Sequence, residues 1–385
     1  MPAVAFYLPP SREYRTQCRI HSHEDRMLNK TFSPQSQSAF SARFEAQKIA
    51  FGPVVFQCVR YAWKRGMLQA LAQAGSTGLS VTELAATELW SKYALKVVLE
   101  TCLSAGVVYL HDGRYVLDKA GYCVLTDKIT QINLDFNHDV CYQGLFKLDE
   151  SLDLEQPIGL ESLGDWPTLY EGMAALPEPA KSSWFAFDHH YSDVSLPTVL
   201  PDIFATAPRH VMDVGANTGK FGCAVLAYSP TVELHLVDLQ GQLDSAEIML
   251  REAGVRERTH LYPVDLLNPE LPLPAGMDVI WMSQFLSCFS ESAIASILQR
   301  AAAALAPKGQ LLIMDTLWDR QRYDIASYCL INTSPYFTAM ASGNSKIYES
   351  ADYIRLAEAA GLHLLTIRDD IGYCHSLLRF GVADA

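Results

Sequence analysis

Hydrophobic positions along this 385-residue chain fall into two regimes, one helical and one alternating. From about Phe40 to Ala74, the residues Phe44, Ile49, Val55, Val59, Trp63, Met67 and Leu71 recur at three- to six-residue intervals, the rhythm of a helical stretch. "GLSVTELAA" then supplies a capping box, with Ser80 as N-cap and Glu83 behind it, that opens a short helix. "KYALKVVLETCLSAG" predicts a second helix stopped by Gly106, and "VVYLHDGRYVLDKAG" predicts a hairpin turning about His111-Asp112-Gly113. Helix, helix and hairpin in this order predict a winged helix. Beyond an aromatic connector the pattern changes. "HVMDVG", "VELHLVDL", "THLYPVDL", "MDVIWMS" and "QLLIMDT" are short β-rich runs, separated by helical segments such as "KFGCAVLAYS", "QLDSAEIMLREAG" and "ESAIASILQRAAAALA". That alternation predicts an α/β fold with a doubly wound parallel sheet. A helix stopped by Gly361 and two strands, Leu362 to Arg368 and Cys374 to Phe380, follow. The expected organisation is a polar tail over 1–39, a mainly helical winged-helix domain over 40–130, the connector over 131–195 and the α/β domain over 196–385.

Composition narrows the function. With 49% hydrophobic and 19% charged residues the chain has the balance of a globular protein, and its net charge of −13 offers no footprint for nucleic acid or anionic membrane. The helix over 91–104 carries only Lys92 and Lys96, with Glu100 on the same face, so the winged helix reads as a dimerisation platform rather than a DNA reader. Nine cysteines without a CxxC pair point to reduced thiols in the cytoplasm. No apolar stretch reaches membrane-spanning length, and two prolines interrupt the N-terminal apolar run where a signal peptide keeps its core; Met27 offers a second start.

The candidate chemistry begins at "VMDVGANTGKFG", residues 211–222. A phosphate loop needs GxxxxGK followed by Ser or Thr, whereas Gly215 and Gly219 stand one residue too close and Phe221 replaces the hydroxyl. A dinucleotide fingerprint needs glycine where Asn217 stands. What remains is a sharp strand-to-helix turn at which a smaller ligand approaches backbone closely. Acids then end successive strands: Asp213, Asp238 and Asp265. Asp238, 19 positions after Gly219, has the spacing of a carboxylate that accepts from a ribose diol; Asp265 suits an adenine amino group, with Leu266 packing on the ring.

With these motifs the chain resembles the class I S-adenosylmethionine-dependent methyltransferases, specifically the small-molecule O-methyltransferases with an N-terminal winged-helix dimerisation domain. The resemblance runs from about Phe51 to Phe380 and rests on "DVGANTG", "LVDL", "PVDLLN", "DVIWMSQFLSCFSE", "LAPKGQLLIMD" and "GNSKIYESADYIRLAEAAGL". It implies a Rossmann-like methyltransferase sheet, a homodimer, and S-adenosylmethionine as cofactor with S-adenosylhomocysteine as product. It implies that Asp213, Gly215, Gly219, Asp238, Leu239, Asp265, Leu266 and Ser283 hold that cofactor. Gly215 and Gly219 would lie near the sulfonium and Asp213 behind the ammonium group.

The resemblance also exposes a gap. Where the family commonly carries a histidine base, in Leu-His-Asp-Trp-Ser, this chain reads Leu286-Ser287-Cys288-Phe289-Ser290. A serine takes no proton near neutral pH without help. His189 and His190 in the connector and His375 at the last strand are the candidate replacements; otherwise the substrate arrives ionised or the reaction is hydroxylation or decarboxylation. Trp184, Phe187, Tyr191, Phe285 and Ser287 are candidates to line a pocket for a small aromatic or polyketide-like substrate, methylated on oxygen or on a phenol ring carbon. Asp188, His189, His190 and Asp193 supply no regular ligand spacing, so no metal is expected. A winged-helix regulator that senses ligand without catalysis is the competing class.

Overall fold

The computed structural model describes residues 36–192 and 195–382. Met27, Asp193 and the tail up to residue 35 lie outside them, as does the side chain of Tyr191. The helical stretch expected over 40–74 is broken into α1 (Ala39–Lys64) and α2 (Met67–Ala74). Gly66, at φ +79°, makes the break in the left-handed region that glycine enters without strain. The capping box forms: Ser80 and Glu83 satisfy each other's backbone amides at the start of α3 (Val81–Ala85). α4 (Lys92–Ser104) follows, capped by Ser91, and then β1 (Val108–His111) and β2 (Arg114–Leu117) pair antiparallel. Asp112 and Gly113 both take positive φ, as a two-residue hairpin turn requires. Leu68, Leu71, Leu84, Leu95 and Leu99 fill this region's own core.

α5 (Lys119–Thr126), α6 (Lys128–Phe136), α7 (Leu148–Leu154), α8 (Leu169–Gly172), α9 (Ala180–Ser192) and α10 (Leu196–Ile203) carry the chain to the sheet. There, β3 (His210–Val214), α11 (Lys220–Tyr228), β4 (Glu233–Asp238), α12 (Gln240–Glu252), β5 (Thr259–Pro263), β6 (Met277–Ser283), α13 (Glu291–Ala304) and β7 (Leu305–Asp315) alternate. α14 (Asp324–Tyr336), α15 (Ser350–Ala359), β8 (Leu362–Ile371) and β9 (His375–Val382) complete the described chain. The seven-stranded sheet has the order β5-β4-β3-β6-β7-β9-β8. Its first five strands are parallel, and β9 runs antiparallel to both neighbours. Both faces are covered, which is why the strands read as near-continuous apolar runs. Met212, Val214, Ile280 and Met282 pack on one side with α13 and α15; Val211, Val279 and Trp281 pack on the other with α10, α11 and α12. The strand order reverses direction between β3 and β6, the place where a sheet of this kind opens a crevice at its carboxyl edge.

The connector does not stand alone. Phe136, Trp184, Leu330, Tyr336 and Met340 share one core, so α6 and α9 pack with α14 and the turn that follows it. An ion network ties this lobe to α1. Arg60 reaches Asp135 and Asp139, each at 3.2 Å, while Lys64 reaches Asp135 at 2.7 Å. Asp139 in turn accepts from Ser183 of α9 at 2.6 Å. Burial pushes the Asp139 pKa up, but the Ser183 and His138 hydrogen bonds and the Arg60 charge hold it below its ordinary value.

Candidate active site

Between the sheet's carboxyl edge and the lobe of α6, α8, α9 and α14 lies a cavity of about 1420 Å³. Pockets for one small ligand commonly run to roughly 300–1,000 Å³, so this one has room for two reactants. Its sheet side is built on the turn after β3, where Gly215, Asn217 and Gly219 take φ of +82°, +48° and +78°. Glycine is demanded at 215: a Cβ there would stand 2.3 Å from the Phe285 ring. Gly219 opens α11 and stands close to α12: a Cβ there would lie 3.0 Å from that of Ala246.

Strand-end acids surround this turn. Asp238 Oδ2 accepts from the Asn217 amide at 2.8 Å and Oδ1 from the Leu239 amide at 2.7 Å, so the carboxylate pins the turn while it faces the cavity. Burial raises its pKa against the pull of those two amides. Asp213 is buried; burial, and then the nearby Asp238, raise its pKa well above the usual carboxyl value. Its Oδ2 has no hydrogen-bond partner. An orphaned carboxyl oxygen at a cavity is completed by a ligand N–H, which fits the ammonium end of S-adenosylmethionine. Asp265 accepts from the Leu267 amide at 2.9 Å and lines the cavity beside Leu266.

Of the sequence candidates, Asp213, Gly215, Asp238, Leu239, Asp265, Leu266 and Ser283 line the cavity, as do Trp184, Phe187, Phe285 and Ser287. Gly219 does not, although Thr218 and Lys220 on either side of it do. The histidines separate. His189 lines the cavity. His190 is absent from the lining and stacks on Tyr373 at 5.1 Å. His375 is also absent from it. Its Nδ1 lies 3.1 Å from Ser195 Oγ, and its side chain borders a second cavity of about 250 Å³. Burial lowers its pKa to about 4. The antiparallel course of β9 does bring its first residue to the ligand end of the sheet, but its side chain is buried, beside Ser195 and on the second cavity rather than the first.

Sequence reasoning missed Asp315, the last residue of β7, which lines the cavity with Ser287. Burial raises its pKa to about 6, against hydrogen bonds from the Tyr353 hydroxyl at 2.8 Å and the Thr316 and Ser287 amides. The signal was present: "QLLIMD" ends in an acid as "LHLVD" of β4 does. Asp188, Tyr170, Cys288 and Tyr336 also line the cavity. Among the described residues no cluster of three or more His, Cys, Asp or Glu is arranged to hold a metal.

Residues 43–115 match the family of Dimerisation2-like domains, and residues 189–363 match that of O-methyltransferase domains. The chain is 22% identical to the L-tyrosine C(3)-methyltransferase of Streptomyces lavendulae over 82% of its own length and 85% of that protein. Over 110 residues, 29% of each chain, it is 33% identical to the aclacinomycin 10-hydroxylase RdmB of Streptomyces purpurascens. The apo structure of SibL, an S-adenosylmethionine-dependent methyltransferase, superposes with a TM-score of 0.64 at 22% identity, covering 88% of this chain and 98% of that one.

Proposed function

From the premise that this chain belongs to the S-adenosylmethionine-dependent small-molecule O-methyltransferases, we propose that it methylates a phenolic, multi-ring substrate, on the hydroxyl oxygen or on the adjacent ring carbon. The observation that carries this is the two-part lining of one cavity. Strand-end acids, the glycine turn, aromatic side chains, Ser287 and Asp315 all line it. Phe136 and Phe187 stack at 4.0 Å and Phe136 meets Tyr336 edge-on at 5.0 Å, a set of flat walls for an aromatic ring.

S-adenosylmethionine, when bound, supplies a methyl group on a sulfonium that is already a good leaving group. The protein's own work is to align, to exclude water and to take a proton. Asp238 and the amides it pins present the ribose site, Asp213 the ammonium site, and Asp265 with Leu266 the adenine site. Asp315 is the general base: it is ionised above about pH 6 and is held in place by Tyr353 and two backbone amides. His189 is the histidine that serves if Asp315 does not, since it too lines the cavity. Loss of a phenol proton enriches both the oxygen and the ortho carbon, so one base supports either product. The tyrosine C(3) relative methylates a carbon, which favours keeping both outcomes.

The local likeness to a 10-hydroxylase supports a second reading, hydroxylation on the same scaffold. Product mass spectrometry with S-adenosylmethionine labelled in its methyl group separates the two. Label in the product supports methyl transfer; a product that gains oxygen without label overturns it.

The winged-helix region over 40–130 serves dimerisation in this proposal, with the connector over 131–195 closing the substrate side of the α/β domain over 196–385. All eight described cysteines are free, in keeping with a reducing cytoplasm; no described helix is long and apolar enough to cross a membrane.

A further inference from the structure

Between β5 and β6 the chain makes no helix. The segment "VDLLNPELPLPAG", residues 264–276, carries Pro269, Pro272 and Pro274. Proline lacks the N–H and clashes with the preceding turn, so these residues cannot use their carbonyls in a helix of their own. Yet the segment begins with the Asp265 carboxylate and the Leu266 side chain, both on the cavity. The bond from the Leu267 amide to Asp265, at 2.9 Å, lies within the loop, so it shapes the turn without fastening it to the rest of the protein.

Arg300 of α13 fastens it. Its Nη2 donates to the Leu266 carbonyl at 2.5 Å, and its Nη1 to the Asn268 and Leu271 carbonyls at 3.2 and 3.0 Å. Its Nε donates to the Ser296 carbonyl one turn back in α13, at 3.3 Å. One planar guanidinium thus ties the loop to a helix whose Ile294, Ile297, Leu298 and Ala301 are buried in the core under the sheet. The side chain is half-buried, where bonds from a charged donor are strong, and it does not itself line the cavity. Burial lowers its pKa and the Asp265 charge opposes that shift, so the two groups lie within electrostatic reach. We propose that Arg300 is a positioning residue for the cofactor's base: by holding the loop it sets Asp265 and Leu266 against an adenine ring, and so makes the site select adenine over a base without the exocyclic amino donor. This rests on the methyl-transfer reading, in which Asp265 and Leu266 receive the adenine, and adds what keeps them in place.

The test is calorimetry of the full chain with S-adenosylhomocysteine and with S-inosylhomocysteine, in which an oxygen replaces the amino group of the base. The parent protein should favour the adenine ligand on the order of 10-fold or more, and Asp265→Ala should abolish that preference. Arg300→Met should bring the preference towards parity, with most of the loss on the adenine side. Arg300→Lys keeps the charge but not the planar fork, and should recover only part of it. An arginine that merely supports the fold would lower both affinities together, or the urea midpoint alone, and leave their ratio as in the parent. That result in Arg300→Met, or in Arg300→Lys if the methionine variant does not fold, overturns the positioning role while the Asp265→Ala result leaves the adenine site standing. A parent protein that binds both ligands equally removes the adenine assignment and Arg300's role with it, and one that binds neither removes the methyltransferase reading itself.

Discussion

Asp213 and Asp315 are both strand-end carboxyl groups withdrawn from water, and burial raises the pKa of both, yet their partners separate them. Asp315 receives three hydrogen bonds and titrates at about 6, so at neutral pH it is an anion able to take a proton. Asp315→Asn should therefore lower turnover on the order of 100- to 10,000-fold with S-adenosylhomocysteine affinity nearly unchanged, and should remove the acid limb of the pH–rate profile. Steady-state kinetics beside calorimetry checks both halves. Asp213 lacks those bonds and, with Asp238 nearby, holds its proton in the free protein well above the usual range. A cationic ligand favours the ionised form, so cofactor binding should release a proton and tighten as pH rises. Calorimetry in buffers of differing ionisation enthalpy reads that release; its absence, or its persistence in Asp213→Asn, rejects the assignment. In the sequence these acids were legible by position, since each ends an apolar run. Which of them could act as a base was not, because that depends on Tyr353, far along the chain from Asp315.

Three strands place histidines in a row. His210 Nδ1 lies 3.2 Å from His235 Nε2, and the His235 and His260 rings stack at 4.8 Å. Burial, then the neighbouring His260 and His210, lower the His235 pKa to about 4. The unfolded chain, with histidine at its ordinary 6.5, takes up this proton while the native state still refuses it. The stabilisation is thus complete above pH 6.5 and is lost as pH falls towards 4, and His375 follows the same course. Urea midpoints measured across that window should fall with acid, and His235→Gln should flatten the slope whatever it does to the plateau. At this scale the sequence read well where pattern and fold coincide: the capping box and the hairpin turn form, and the seven strands fall on the β-rich runs, though β7 starts early, at Leu305, within the segment read as helix. α14 escaped because its apolar residues do not keep to one face. Ile325 and Tyr328 are exposed while Leu330 and Tyr336 are buried, and a proline sits in its last turn. His375 stands at the strand end the sequence implied, but its burial beside Ser195, away from the larger cavity, is a long-range packing fact that strand direction does not carry.

At the scale of the whole molecule, exposed apolar side chains gather, among the described residues, on the first helix. Phe40, Phe44, Ile49, Phe51 and Val54 of α1 are exposed, Ile49 at 80%, and Tyr93 of α4 at 78%. Apolar side chains exposed around a helix in this way mark an association surface, and the match of residues 43–115 to Dimerisation2-like domains agrees. Phe44→Asp with Ile49→Asp should shift sedimentation from dimer to monomer, while a dimer that survives the pair of charges would place the interface elsewhere.

The ion network between α1 and α9 gives that surface a reach beyond assembly. Arg60 grips two carboxylates of the lobe, and one of them holds Ser183, the residue before Trp184 in the cavity wall. Arg60→Met should accordingly raise the KM for the methyl-accepting substrate several-fold with cofactor affinity unchanged. Whatever stiffens α1 also stiffens the wall, so two subunits locked together by their first helices would each hold a truer mould of the substrate than either does alone.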